Sequence, residues 1–208
     1  MKKVLILSPH TDDGEIGCGG TIAKFISKGY EVIYIAFSAA EKSLPKNLPK
    51  NTLRKEVLDA TSCLGIKKKN CIVYKFEVRK FYEFRQEILD LMIKLNKKFK
   101  PDAVFLPSTN DTHQDHEVIA REGFRAFKKI TLLGYEMPWN IKNFNTSCFI
   151  EISNKDLKTK IKAISKYKSQ KNRNYSSKRY IESLAITRGV QIGKKYAESF
   201  EVVRWLMN

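Results

Sequence analysis

The chain has no apolar run approaching the ~20 residues that a helix needs to cross a bilayer, so no membrane span is expected. Its N-terminal apolar stretch, Val4-Leu5-Ile6-Leu7, is four residues long and meets Pro9, His10, Asp12 and Asp13 at once. A secretory segment needs an apolar core of about 7–15 residues, so a cytoplasmic protein that begins with a strand is expected instead. Cysteine is scarce: Cys18, Cys63, Cys71 and Cys148 form no CxxC pair. That spacing argues against a disulfide framework and against a cysteine zinc knuckle, and leaves free buried thiols. There is no internal repeat and no low-complexity segment. Hydrophobic residues make up 42% of 208 residues, enough to exclude a disordered chain and to suit one domain, residues 1–208.

Negative charge is also short, 22 Asp and Glu against 39 Lys and Arg, for a net charge of +17. The excess is concentrated. Lys155 to Lys195 holds thirteen Lys and Arg against only Asp156 and Glu182. Such a field attracts nucleic acid, anionic lipid or a phosphorylated metabolite, although a lysine-rich composition produces the same excess with no ligand at all.

Apolar periodicity predicts strands at Lys3–Leu7, Glu31–Phe37, Cys71–Tyr74, Ala103–Leu106, Leu132–Tyr135, Ser147–Ile152 and Phe200–Trp205. Helices are predicted at Glu15–Lys28, Thr52–Leu64, Phe84–Phe99, Glu117–Phe127, Lys155–Lys168 and Lys178–Lys194, several closed by Gly or Pro. Residues 38–51, with Pro45 and Pro49, read as a loop and a candidate lid. Strand–helix alternation through the first two thirds predicts an α/β, Rossmann-like fold, a mostly parallel sheet with helices on both faces.

Histidine is the rarest of the chemically useful residues, and its placement is informative. His10, His113 and His116 each lie within three residues of an aspartate, in loops expected just after a strand. Ligands of doubly wound sheets bind beyond the carboxyl ends of the strands. The loop after Leu7 and the loop after Leu106 would there bring together His10, Asp12, Asp13, Asp111, His113, Asp115 and His116. A set of imidazoles and carboxylates without thiolate suits Zn²⁺ or another divalent first-row metal with an open position, and ligand type alone does not separate zinc from iron. Gly14, Gly17, Gly19 and Gly20 do not make a dinucleotide loop, because Ile22 stands where a third glycine is needed and carboxylates precede them. They let the loop pass close to the metal and let the helix pack tightly.

The run Ser8-Pro9-His10-Thr11-Asp12-Asp13-Gly14-Glu15-Ile16-Gly17-Cys18-Gly19-Gly20 resembles the first motif of the PIG-L/LmbE-type N-acetylglucosaminyl deacetylases. Asp111-Thr112-His113-Gln114-Asp115-His116 resembles their second. Arg54-Lys55-Glu56, Tyr167-Lys168-Ser169-Gln170 and Arg188-Gly189-Val190-Gln191-Ile192-Gly193 are similar to further features of that family. The resemblance implies that His10, Asp13 and His116 bind Zn²⁺. It makes Asp12 the general base and His113 the electrophilic partner that helps to protonate the leaving amine. Asp115 would hold the His113 ring, and Arg54 would face the substrate. It further implies a small-molecule amino-sugar substrate and a homo-oligomer. Thr11 departs from the family's usual proline, Gly14 from a glutamate or alanine, and Thr112 from a tyrosine that some members place near the oxyanion. Two other classes stay open: a basic nucleic-acid-binding protein, and a metal-binding homologue without activity.

Two aspartates have bland alternatives, because Asp12 and Asp115 each precede a predicted helix and would serve as N-caps. Trp139 follows a predicted strand at the metal edge, where it would either pack or stack on a sugar ring.

Overall fold

The structure, a computed structural model, describes residues 2–45 and 47–206. Seven strands form one sheet: β1 (Lys3–Ser8), β2 (Glu31–Ala36), β3 (Cys71–Val73), β4 (Ala103–Pro107), β5 (Thr131–Tyr135), β6 (Cys148–Glu151) and β7 (Ala197–Arg204). Their order is β3-β2-β1-β4-β5-β7-β6. The first five are mutually parallel, while β7 runs antiparallel to both β5 and β6. The mostly parallel α/β sheet expected from the alternation is thus present, with one antiparallel strand, β7, lying between β5 and the edge strand β6.

The strands are apolar on both faces because both faces are covered. Along β1, Val4 and Ile6 join one core while Leu5 and Leu7 join the other, all at 0% exposure. The first core is roofed by α1 (Asp13–Ser27), α2 (Thr52–Cys63), α5 (Asn154–Ile164) and α6 (Lys178–Val190). The second is roofed by α3 (Arg85–Phe99) and α4 (Gln114–Ala126).

The glycines of α1 explain how it sits so close to the sheet. A Cβ on Gly17 would fall 2.6 Å from Cγ of Tyr135, and one on Gly14 would fall 2.6 Å from Cε2 of Tyr34. Only hydrogen fits between the helix and these rings, so the tight-packing role expected of the glycines holds. Residues 38–51 are not all loop: Glu41–Ser43 form a 3₁₀ turn, and Ala39 and Ala40 are buried. The four cysteines are free, with Cys18 buried and the other three half-buried. Within the basic segment, Lys160 is not a surface charge. Its Nζ donates to Glu198 Oε1 at 2.6 Å, in a pair only 7% and 5% exposed.

No helix among the described residues is long and apolar enough to cross a membrane.

Candidate metal centre

Strands β1 and β4 are neighbours, yet they come from separate stretches of chain, and the strand order reverses between them. At such a switch point the two following loops diverge and leave a crevice at the carboxyl edge. Both histidine motifs occupy that crevice. The first tightens where the His10 amide donates to Asp13 Oδ2 at 2.7 Å. The second is shaped by Asp111, whose Oδ1 accepts from the His113 amide at 2.9 Å.

The side chains converge. Asp13 Oδ2 lies 3.1 Å from His10 Nδ1 and 3.3 Å from His116 Nε2. The His10 and His116 ring centroids are 5.3 Å apart. Behind each imidazole stands a buried carboxylate. His10 Nε2 donates to Asp115 Oδ2 at 2.9 Å, and His116 Nδ1 donates to Asp111 Oδ2 at 2.7 Å. An ionised carboxylate only accepts, so these bonds fix a proton on the far nitrogen of each ring. Nδ1 of His10 and Nε2 of His116 then face Asp13 and are the nitrogens free to coordinate a cation. A histidine ligand whose other nitrogen is held by a carboxylate is the usual supporting arrangement of a zinc site. The donor set therefore fits a divalent metal held by His10, Asp13 and His116.

The three imidazoles alone also present nitrogens within 4.8 Å of one another. A three-histidine site is the poorer fit, because His113 Nδ1 accepts from the Asp115 amide at 3.2 Å. That bond puts the neutral ring's proton on Nε2, leaving it no free lone pair and making it a hydrogen-bond donor.

The charges follow this geometry. Burial pushes His10 down, but Asp13 and then Asp115 outweigh it and raise the pKa to about 9. His116 is likewise opposed by burial and lifted by Asp13 and Asp111 to about 10. Asp13 is pushed up by burial yet held well below the usual carboxylate range by His116 and His10. Asp12, beside it, is raised by burial and by the Asp13 charge to about 6. His113 is lowered by burial, then by His116 and His10, to about 4.

Two site expectations are corrected. Asp115 does not hold the His113 ring with its carboxylate. That carboxylate accepts from His10 Nε2 and from the amides of Arg79, at 2.6 Å, and Phe81, at 3.3 Å. The turn that presents these two amides, of residues 79 and 81, to Asp115 has a left-handed residue at Arg79, φ 68°. His116 lies not in a loop but in the first turn of α4, whose N-cap is His113 rather than Asp115. Arg54 is not bonded to the cluster; its guanidinium donates to the Val73 carbonyl at 3.0 Å, at the carboxyl end of β3. Asp12 occupies the N-cap position of α1 but makes no capping bond, so its carboxylate is not spent on the helix.

Other residues support the first motif from behind. Glu15 is fully buried and is met by the hydroxyls of Tyr34 and Tyr167, the latter at 2.7 Å. The same two hydroxyls donate to the Thr11 carbonyl at 2.8 and 2.6 Å. Glu56 of α2 accepts from the amide and hydroxyl of Ser169 at 3.0 and 2.6 Å, which brings two of the distant sequence features together. Asp111 was visible in the second motif without an assigned task; its spacing of five from His116, across a helix start, is the signal for its role.

Residues 5–127 match the family model described as PIG-L, GlcNAc-PI de-N-acetylase. The chain belongs to the PIG-L family. Diacetylchitobiose deacetylase of Thermococcus kodakarensis is 26% identical over 98% of this chain and 84% of its own length. Among solved structures, N,N'-diacetylchitobiose deacetylase from Pyrococcus horikoshii, complexed with its inhibitor MPG, has a TM-score of 0.81 at 24% identity. That similarity covers 97% of this chain and 84% of the other. GalB, the 4-carboxy-2-hydroxymuconate hydratase of Pseudomonas putida, reaches a TM-score of 0.78 at 20% identity, covering 100% and 98%. The PIG-L fold thus carries more than one reaction, and the reaction has to be argued from the site.

Proposed function

We propose that this PIG-L chain is a zinc-dependent N-deacetylase acting on an N-acetylglucosamine-type amino sugar or its conjugate. One observation carries this: two imidazole nitrogens and a carboxylate oxygen converge at the carboxyl edge, with an uncommitted carboxylate and a third imidazole beside them. A purely structural zinc site closes its shell and needs no spare acid, base or donor. The family match and the deacetylase relative support the acetamide as the bond attacked.

His10, Asp13 and His116 hold the ion, and Asp115 and Asp111 keep the two rings turned toward it. Bound zinc supplies a Lewis acid that polarises an amide carbonyl and acidifies water. Asp12 takes a proton from the attacking water as its oxygen adds to the acetamide carbon. A group placed for such a transfer contributes about 10²–10⁴ in rate. The oxygen that gains negative charge is met by the Nε2–H of neutral His113, whose orientation the Asp115 amide fixes. When the carbon–nitrogen bond breaks, Asp12 returns its proton to the amine, and acetate and the free amino sugar leave. His113 is thereby the electrophilic partner, and the protonation of the amine falls to Asp12. Arg54, at the same sheet edge, is the candidate to meet a substrate oxygen.

The test is acetate release from a panel of N-acetylated amino sugars by zinc-loaded protein, chelated protein and Asp12→Asn. Turnover by the first alone supports the proposal. Equal turnover by all three contradicts it.

A further inference from the structure

The edge of the sheet opposite the metal centre has a different chemistry. Strands β1 to β5 are parallel, so the segments that leave α1, α2, α3 and α4 and enter the next strand all arrive at that amino edge. Lys28 follows α1, Lys67, Lys68 and Lys69 follow α2, Lys100 follows α3, and Lys128 and Lys129 follow α4. All seven are exposed, and among the described residues none of them forms an ion pair. Asp102 is the one acid in these four segments, and its Oδ2 accepts from the amides of Lys2 and Lys3 at 2.7 and 2.8 Å.

An apolar groove opens at the same edge. It is a cavity of about 660 Å³ at the starts of β4 and β5 and the end of β7, backed by Phe25, Phe105 and Leu133 of the first core and bordered by Lys129, Ile130 and Trp205. Trp205 is 57% exposed and Leu206 37%. The chain there is nevertheless held to β5, where the Leu206 amide donates to the Thr131 hydroxyl at 3.2 Å. Helix C-termini carry a partial negative charge that a nearby cation offsets. That accounts for one lysine after each helix. It does not account for three in a row after α2, two after α4, or an indole left in water beside them.

Unpaired cations along one edge, with an apolar groove and an exposed tryptophan among them, complement a surface that has anionic head groups above hydrocarbon. A nucleic acid would engage the lysines and leave the groove unused. Tryptophan favours the boundary between head groups and acyl chains, and each lysine near an anionic leaflet strengthens partition about fivefold. We propose that the amino edge of the sheet is a docking face for an anionic phospholipid bilayer, with Trp205 and Leu206 at head-group level and the lysines after α1 to α4 on the phosphates. Strands of five or six residues span about 17–20 Å, so the metal centre at the carboxyl edge stays about that far from the bilayer and open to water. This inference goes beyond the deacetylase proposal and does not depend on it.

The test is co-sedimentation of the full chain with vesicles of equal parts phosphatidylglycerol and phosphatidylcholine, against vesicles of phosphatidylcholine alone. The chain should pellet with the first and not the second, and should be released as salt rises. Lys128→Gln together with Lys129→Gln should lower the partition about thirtyfold, equivalent to ~2 kcal/mol, and Trp205→Ser should lower it at unchanged charge. Trp205 also reports its own position. Trp139, the other tryptophan of the chain, stacks on Tyr175 with ring centroids 4.1 Å apart, and Trp139→Phe leaves Trp205 as the single indole on an unaltered face. Its emission should move to shorter wavelength when the anionic vesicles are added. No sedimentation with anionic vesicles, or equal partition by the substituted and unaltered chains, overturns the proposal. So does an emission that vesicles leave unchanged but a DNA duplex shifts, which would make the edge a nucleic-acid surface. An emission already at short wavelength without vesicles, and lengthening on dilution, would make it an interface between two copies and overturns the proposal as well.

Discussion

Replacing Asp111 by asparagine perturbs the candidate metal centre without touching a proposed ligand. Both oxygens of Asp111 are acceptors in use: Oδ2 takes the His116 Nδ1 proton at 2.7 Å, and Oδ1 takes the His113 amide at 2.9 Å. Asparagine has one oxygen and one donating nitrogen of nearly the same shape. It can satisfy His116 or the His113 amide, but not both, and the second contact becomes donor against donor in a site that is 4% exposed. An unsatisfied buried donor costs about 1–3 kcal/mol. Loss of a carboxylate behind a ligating histidine costs about 10–100-fold in metal affinity, equivalent to ~1.4–2.7 kcal/mol. We therefore expect Asp111→Asn to bind zinc about 10–100-fold more weakly in a competition titration against a chromophoric chelator, with unchanged stoichiometry. An affinity within about threefold of the unaltered protein would refute the assignment of Asp111 as the group that orients His116.

Asp12→Asn should keep its zinc, measured by elemental analysis, while acetate release falls by about 10²–10⁴; loss of the metal instead would make Asp12 a ligand. Gly17→Ala forces a methyl group against the Tyr135 ring. Overpacking of this kind costs about 1–3 kcal/mol, so the urea midpoint should fall, and an unchanged midpoint would mean that α1 shifts freely. In metal-free protein His10 and His116 titrate near 9 and 10, above their ordinary 6.5. A raised pKa stabilises the fold below the unfolded value and loses that contribution as pH rises through the folded one. Chelated protein should therefore lose thermal stability from about pH 7 to 10, while the stabilisation gained on adding zinc grows over the same interval. Calorimetry in buffers of different ionisation enthalpy should show proton release on zinc binding near pH 7, and no release would contradict the protonated resting site.

Much of this was legible in the residues themselves. The periodic strands β1, β2, β4 and β5 needed no tertiary information, and the two aspartate–histidine motifs after β1 and β4 pointed to a candidate metal site. What stayed hidden was decided by groups distant in sequence. Strand β7 begins at Ala197 rather than Phe200 because Glu198 and Ser199, polar and loop-like on paper, are buried against partners elsewhere. Glu198 accepts from the Gly20 and Thr21 amides and from Lys160, and Ser199 donates to Glu136. Helix α4 starts at Gln114 because a histidine serves as its cap, a residue that capping preferences do not suggest. The task of Asp115 turned on the backbone of Arg79 and Phe81, some 36 residues away in sequence and contributed by a left-handed turn that no local signal marks.

The most direct test of the account is diffraction at the zinc absorption edge from crystals grown with equimolar zinc. A single anomalous peak should lie about 2.0–2.2 Å from His10 Nδ1, Asp13 Oδ2 and His116 Nε2, with Asp12 unbound beside it. A peak coordinated by His113 in place of Asp13, or no peak at this edge of the sheet, would contradict it.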